Sequence, residues 1–450
     1  MAGQQRQMHL GVLLLAAGNV VSGWRLPEAE AGAQNFDLIR RATETAERGK
    51  FDFVFFADGL NSFPGMHPSM VLRFEPLTLL GALTAMTTRI GLAVTASTTY
   101  TEPYNLARML ASLDHLSGGR MAWNIVTGAF AEAAANFSAA KHPPHEQRYA
   151  IAAEFVEVAK GLWDSWEEDA LMMDKASGHF VDASKMHVLG HEGEFYHVKG
   201  PLNITRPPQG YPVFMQAGAS DTGVSFAAAV AEVVFTVQQN KDVAVAFAHR
   251  LKDAAQQCGR DPAHLKVMPG ICPIVGSTNA EAKAKLAELG ALTDPAYAMK
   301  VLSERMGQDL SSYPLDGPVP VLPPSTIMQG HAITLAETAR RRNMTLRELR
   351  DFVGMSMGHK LICGTPEQIA DEMEEWFNDG AADGFNLLPP WFPGGLSDFV
   401  DHVVPVLQKR GSFRVDYTGR TLREHLGLPR PEHPARRVSN LVQGAERSVV

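Results

Sequence analysis

The chain reads as a (β/α)8 barrel, and three observations predict it. Short apolar runs alternate with longer amphipathic stretches, the pattern of parallel strands joined by crossover helices. Eight such runs follow one another in a single order. No GxGxxG turn follows the first run, which counts against the alternative, an open doubly wound sheet.

His9 to Leu15 is the first strand. A helix follows over Phe36 to Arg48, with Phe36, Ile39, Ala42 and Ala46 at helical spacing, and Phe51 to Phe56 is the second strand, ending before Asp58 and Gly59. A helix over Glu75 to Thr87 leads to strand Ile90 to Val94, and another from about Tyr104 leads to strand Arg120 to Ile125. Glu167 to Pro208 breaks the rhythm with glycine, histidine and aspartate, and reads as an insertion of short hairpins. The alternation resumes with strand Val213 to Ala217, a helix from Ser220, strand Val233 to Thr236, helix Val243 to Gln257 and strand Leu265 to Ile271. Prolines and glycines dominate Thr293 to Pro324, an excursion of the kind that forms lids. Helices follow around Ile333 to Arg341 and Leu346 to Val353. Thr365 and Pro366 start a further helix with an N-cap and a first-turn proline. Gly384 to Leu388 is the eighth strand, closed by a helix near Leu396 to Gln408. The organisation expected is one barrel over 1–428, with insertions at about 167–208 and 290–330, and a proline-rich arm over 429–450.

Composition narrows the class. Of 450 residues, 45% are hydrophobic and 20% charged, enough apolar material for a large core. A net charge of −8 without a long basic run argues against a nucleic-acid partner, since neutralising phosphates takes clustered Lys and Arg. Three cysteines without CxxC spacing indicate neither a disulfide framework nor a thiolate metal site. The N-terminus lacks a signal-peptide design, and no apolar run reaches the roughly 18 residues of a membrane helix. A cytoplasmic enzyme is the expectation.

In such a barrel the chemistry sits at the carboxyl ends of the strands. Asp58 stands there after the second strand, as a turn residue or a ligand contact. Thr95 to Tyr100 forms a hydroxyl-rich end after the third strand, where threonine also has ordinary strand propensity. Asn124 and Thr127 follow the fourth strand. Gln216-Ala217-Gly218-Ala219-Ser220-Asp221 runs from the fifth strand into a helix, with small residues where a backbone approaches a ligand closely; Ser220 suits an anion site and a plain N-cap equally. His145 and Tyr149, four apart, share a helix face and suit either phosphate binding or proton management. His187, His191 and His197 lie among glycines that disfavour a helix, so no metal site is expected.

Together these segments resemble the nitrilotriacetate monooxygenase and dibenzothiophene-sulfone monooxygenase branch of the bacterial-luciferase-like family. The resemblance runs from Met8 to about Leu428. It is carried by Ala46 to Asp52, Thr99 to Tyr104, Leu113 to Arg120, Trp123 to Thr127, His145 to Tyr149, Gly200 to Asn203, Gln216 to Gly218, Ala382 to Phe385 and Val404 to Leu407. It implies a monooxygenase that receives reduced FMN from a separate NAD(P)H-dependent flavin reductase and uses dioxygen to oxygenate a small organic compound, such as an aminopolycarboxylate, sulfone or thioether. By the same resemblance Asp58, Thr95, His145, Tyr149, Ala219 and Ser220 bind FMN, with Asn124 and Thr127 near its ring.

One loop departs from the family. Many relatives place histidines before a Trp-Arg pair after the first strand, where this chain has Val20 and Val21 before Trp24 and Arg25. Catalytic residues therefore stay unassigned. Phe56, with Phe55, Phe63, Phe130 and Trp391, suits a dry pocket or simple core packing, and Arg25 and Arg305 suit a substrate carboxylate or sulfonate or a structural role. A homodimer or homotetramer is expected. A deazaflavin-dependent oxidoreductase and a non-catalytic flavin-binding protein on the same barrel are the alternatives.

Overall fold

The structure is a computed structural model that describes residues 6–435, apart from 31, 33, 64–65, 129, 139–140, 219, 323–328 and the side chains of 329–331. Its strands are β1 (His9–Leu13), β2 (Phe53–Phe56), β3 (Gly91–Ser97), β4 (Met121–Val126), β5 (His191–Glu192), β6 (His197–Val198), β7 (Val213–Gln216), β8 (Val233–Thr236), β9 (Lys266–Val275), β10 (Lys360–Gly364) and β11 (Gly384–Leu387).

Strands β1, β2, β3, β4, β7, β8, β9 and β11 pair in parallel in that order, and β11 pairs back onto β1. These are the eight expected strands, closed into a barrel. Strands β5 and β6 form the antiparallel hairpin of the insertion. Its histidines pair separately with carboxylates: His187 with Glu167 at 2.9 Å, His191 with Glu154 at 3.1 Å and His197 with Glu192 at 3.4 Å. Among the described residues no group of three metal-capable side chains forms. Among the described residues no helix is long and apolar enough to cross a membrane.

Several elements differ from the sequence expectation, among them the helix Asn279–Leu292, which no expectation covered. β10 is a ninth strand, paired along Ile271 to Val275 of β9 outside the ring. Its five residues owe their extended form to that overhang, because nothing in their own pattern separates strand from helix. Within the proline-rich excursion, Pro295–Met306 is a helix capped by Asp294, where Pro295 occupies the first turn and so starts the helix instead of breaking it. Met299, Leu302 and Met306 pack against Leu335, Leu346, Leu349 and Val353 of the following helices, giving this insertion a core of its own.

Alternation along the strands builds two layers. Leu10, Val12, Val54, Phe56, Leu92 and Val94 face outward to the helices, whereas Leu13, Phe53, Phe55, Ala93, Ala122 and Met215 fill the barrel. Leu422, Leu426 and Leu428 join the inner group from below. Gly91 makes room for them, since a Cβ there would lie 2.6 Å from Leu422. Beyond Leu428 the chain stays packed as far as it is described: Arg430 donates to the Pro208 carbonyl at 2.8 Å, and His433 is buried with its Nε2 3.0 Å from the Asp164 carbonyl.

The floor is tied by Asp52, which is fully buried. It accepts from the Leu10 amide at 2.8 Å, lies 3.1 Å from His9 Nδ1 and is ion-paired with Arg414. Burial pushes this carboxyl up, but the charges of Arg414 and His9 together with its hydrogen bonds outweigh it and hold the group at about 2. A carboxyl depressed on folding contributes stability above its unfolded value of 3.8 and loses it as pH falls toward about 2. The stability of the wild type is therefore expected to drop between pH 4 and 2. Replacing Arg414 with Met, which strands the buried carboxylate, is expected to cost about 3 kcal/mol in urea unfolding at pH 7.

Candidate active site

With its floor stoppered, the barrel opens only at the carboxyl ends of its strands. A cavity of about 340 Å³ lies there, walled by the ends of β2, β3, β4, β7 and β8 and by the helix His145–Trp163.

One end of the cavity is polar and cationic. Ser220 caps the helix Asp221–Val230, accepting from the Gly223 amide at 3.1 Å, so the positive end of the helix dipole faces the cavity. The Tyr149 hydroxyl sits beside Ser220; burial raises its pKa, against hydrogen bonds from Ser220 and Gln216, so the phenol stays protonated and able to donate. Glycines make this approach possible. A Cβ at Gly223 would stand 3.1 Å from both Ser220 Oγ and Tyr149 Oη, and one at Gly218 would stand 2.4 Å from Gln216 Nε2. The His145 ring packs 5.0 Å from the Tyr149 ring. Arg148, one turn along, is buried; its Nη1 donates to His142 Nε2 at 2.5 Å and to the Pro143 carbonyl at 3.1 Å.

Two buried polar atoms here, Arg148 Nε and Gln216 Oε1, have no partner among the described residues. An unpaired buried polar group costs about 1–3 kcal/mol, which a bound ligand would recover. Guanidinium, imidazole, phenol and helix N-terminus converging on one corner make an anion site, and phosphate is the anion that matches such a donor set.

The rest of the cavity is mixed. Thr95 and Ser97 on β3 face it, and Asn124 lies just beneath, its amide donating to Thr95 Oγ1 at 3.0 Å. The Thr127 carbonyl at the end of β4 accepts from Thr99 at 2.8 Å. Asp58 stands 3.5 Å from Arg73, and burial raises its carboxyl pKa against that charge. Asn61, buried at the rim, has neither amide atom paired among the described residues. Met66, Met70, Ile125, Phe130, Phe235 and Val237 supply the apolar wall.

Six of the eight flavin-contact candidates thus share one cavity: Asp58, Thr95, Thr127, His145, Tyr149 and Ser220. Ala219 lies outside the described residues. Phe56 points away into the helix-facing layer, while its neighbour Phe55 points inward. Arg25 is exposed, donating to the Leu292 carbonyl at the end of a helix. Arg305 is half-buried and close enough to His67 and His359 to disfavour their protonation. Burial first, then Arg305, lowers those rings to about 4 and about 3. They flank the cavity, His67 next to the lining residue Met66 and His359 stacked 5.3 Å from Phe235. Arg148, Gln216 and Asn61 were not singled out as contacts; for Arg148 the available signal was its place one turn after His145 on the same helix.

The chain matches the luciferase-like monooxygenase family over residues 10–383. It is 49% identical over 435 residues to the N-acetyl-S-(2-succino)cysteine monooxygenase of Bacillus subtilis (strain 168), covering 96% of this chain and 99% of that protein. It is 44% identical over 448 residues to the nitrilotriacetate monooxygenase component A of Aminobacter aminovorans, covering 96% and 98%. Among solved structures, the EDTA monooxygenase of Chelativorans sp. BNC1 superposes with a TM-score of 0.77 at 38% identity, covering 94% of this chain and 99% of that one.

The cradle yields a direct expectation. Gly218→Ala places a methyl group against the Gln216 amide, which must move out of the cradle. The variant is expected to lose about 1 kcal/mol or more of stability in thermal unfolding and to bind a phosphate monoester several-fold more weakly by calorimetry.

Proposed function

The chain belongs to the luciferase-like monooxygenase family, and from that premise we propose that it is the oxygenase of a two-component system acting on small polycarboxylates that carry an amine or thioether. The observation that carries the cofactor assignment is the phosphate-type cradle with the buried, unpaired Arg148 Nε donor, set at one end of a cavity otherwise suited to a flat heteroaromatic ring, with the unpaired Gln216 Oε1 left to accept from a ligand hydroxyl. FMN fits that division. When bound in reduced form it supplies the two electrons with which dioxygen delivers one oxygen atom to the substrate and one to water. A separate NAD(P)H-dependent flavin reductase supplies it, in keeping with the "component A" in the name of one relative.

The residues of this chain have three tasks. Arg148, His145, Tyr149 and Ser220 hold the phosphate and so fix where the ring lies. Thr95, Ser97 and the Thr127 backbone offer donors and acceptors to the polar ring edge, while Asn124 holds Thr95 in place. Met66, Ile125, Phe130 and Phe235 exclude water from the reacting face. Redox chemistry resides in the cofactor, so the site needs no dedicated nucleophile or acid-base pair.

The substrate class rests on the rim and on the relatives. Nitrilotriacetate, EDTA and N-acetyl-S-(2-succino)cysteine, named for three similar proteins, all bear carboxylates on a carbon attached to nitrogen or sulfur. Beside the cavity lining, the Asn61 amide and His67 Nε2, both unpaired among the described residues, with the Arg305 charge near His67, are suited to a carboxylate. With purified reductase, NADH, FMN and oxygen, polycarboxylates of this kind are expected to give stoichiometric oxygenated product, and dibenzothiophene sulfone none. Turnover of the sulfone alone would overturn the substrate assignment, and tight FMN binding without any turnover would overturn the enzymatic one. Arg305→Gln is expected to raise KM for the polycarboxylate by about tenfold while changing kcat little.

A further inference from the structure

Three side chains beside the cavity form a chain whose hydrogen-bond polarity can be worked out. Tyr100 Oη lies 2.5 Å from His142 Nδ1, and Arg148 Nη1 lies 2.5 Å from His142 Nε2. Arginine is always a donor, so His142 Nε2 must accept. A neutral imidazole with an accepting Nε2 carries its proton on Nδ1, and that proton is then donated to the Tyr100 oxygen. The ring is neutral: burial and the neighbouring Arg148 lower its pKa, against the Gly128 carbonyl and Glu132. Tyr100 therefore receives a hydrogen bond, and its own hydroxyl proton is left to point elsewhere.

Tyr100 lines the same cavity as Arg148. Its ring is held by stacking on Phe137, 5.0 Å between centroids and 14° between planes. Gly128, at φ +71°, passes close to the relay: a Cβ there would sit 3.7–3.9 Å from Ser97, His142 and Tyr100. The three groups are thus fixed in place, and beside the unpaired Arg148 Nε–H the relay leaves unused the hydroxyl proton of Tyr100 at the cavity wall.

We propose that Tyr100 is a directed hydrogen-bond donor to the phosphate of the bound flavin, with His142 as the positioning residue that turns its proton toward the ligand. Rank among donors favours the phosphate as target, because the relay starts from Arg148, whose free Nε belongs to the same anion cradle. This inference rests on the FMN reading, but its test separates the two.

The first measurement needs no flavin. In protein labelled with 15N-histidine, the His142 signal, assigned from a His142→Leu variant, is expected to show a protonated, pyrrole-type Nδ1 and an unprotonated, pyridine-type Nε2 at neutral pH. The opposite tautomer would overturn the relay. The second measurement compares binding of FMN and riboflavin, which lacks the phosphate, to wild type and Tyr100→Phe, whose retained ring preserves the Phe137 stack. Tyr100→Phe is expected to weaken FMN about tenfold and riboflavin hardly at all. Equal weakening of both would place the hydroxyl at the ring, and no weakening of either would make Tyr100 a packing residue; each result overturns the proposal. If wild type itself does not prefer FMN to riboflavin, the FMN reading fails instead.

Discussion

The stoppering of the barrel from below is the constraint on which the site depends. Eight parallel strands closed on themselves leave two open ends, and the C-terminal segment seals one of them with Leu422, Leu426 and Leu428, accommodated by the absence of a side chain at Gly91. The Asp52–Arg414 pair anchors that segment to the base of the barrel. Everything a ligand can reach is then confined to the opposite rim, where the strand ends supply Thr95, Ser97, Gln216 and Thr236.

At that rim, backbone geometry and side-chain chemistry are set together. The run from Gln216 to Gly223 has glycine at 218, where Gln216 occupies the volume a Cβ would need, and at 223, where Ser220 and Tyr149 crowd it. In the cradle, His145 lies 3.3 Å from the exposed Glu146 carboxylate, and among the described residues no carboxylate pairs with Arg148. Arg148 is held by a neutral imidazole and a carbonyl, which leaves its full charge available to an anion. A carboxylate in the same place would neutralise the site before a ligand arrived.

The barrel was legible because its strands are buried on both faces, so each is a dense apolar run that stands out from the amphipathic helices. Lys360 to Gly364 was not, since it becomes a strand only through the overhanging half of β9. Pro295 illustrates the opposite difficulty: a proline-rich stretch suggests a loop, yet at a first helical turn proline is favourable. For the site, the rule that chemistry lies at strand ends located Asp58, Thr95 and Ser220 without any contact information. It could not reveal which way a strand-end side chain points, so Phe56 and Phe55 were not separable, nor which polar atoms lack partners, so Arg148 and Asn61 went unmarked. Arg25 was drawn in by its neighbouring motif, whereas its guanidinium is taken up by the end of a helix.

A crystal structure of the protein with FMN tests the central claim most directly. The account predicts the phosphate within hydrogen-bonding distance of Ser220, Tyr149 and Arg148, with the ring extending past Thr95 toward Asp58. A flavin phosphate bound elsewhere on the rim, with Arg148 Nε still unpaired, would contradict it.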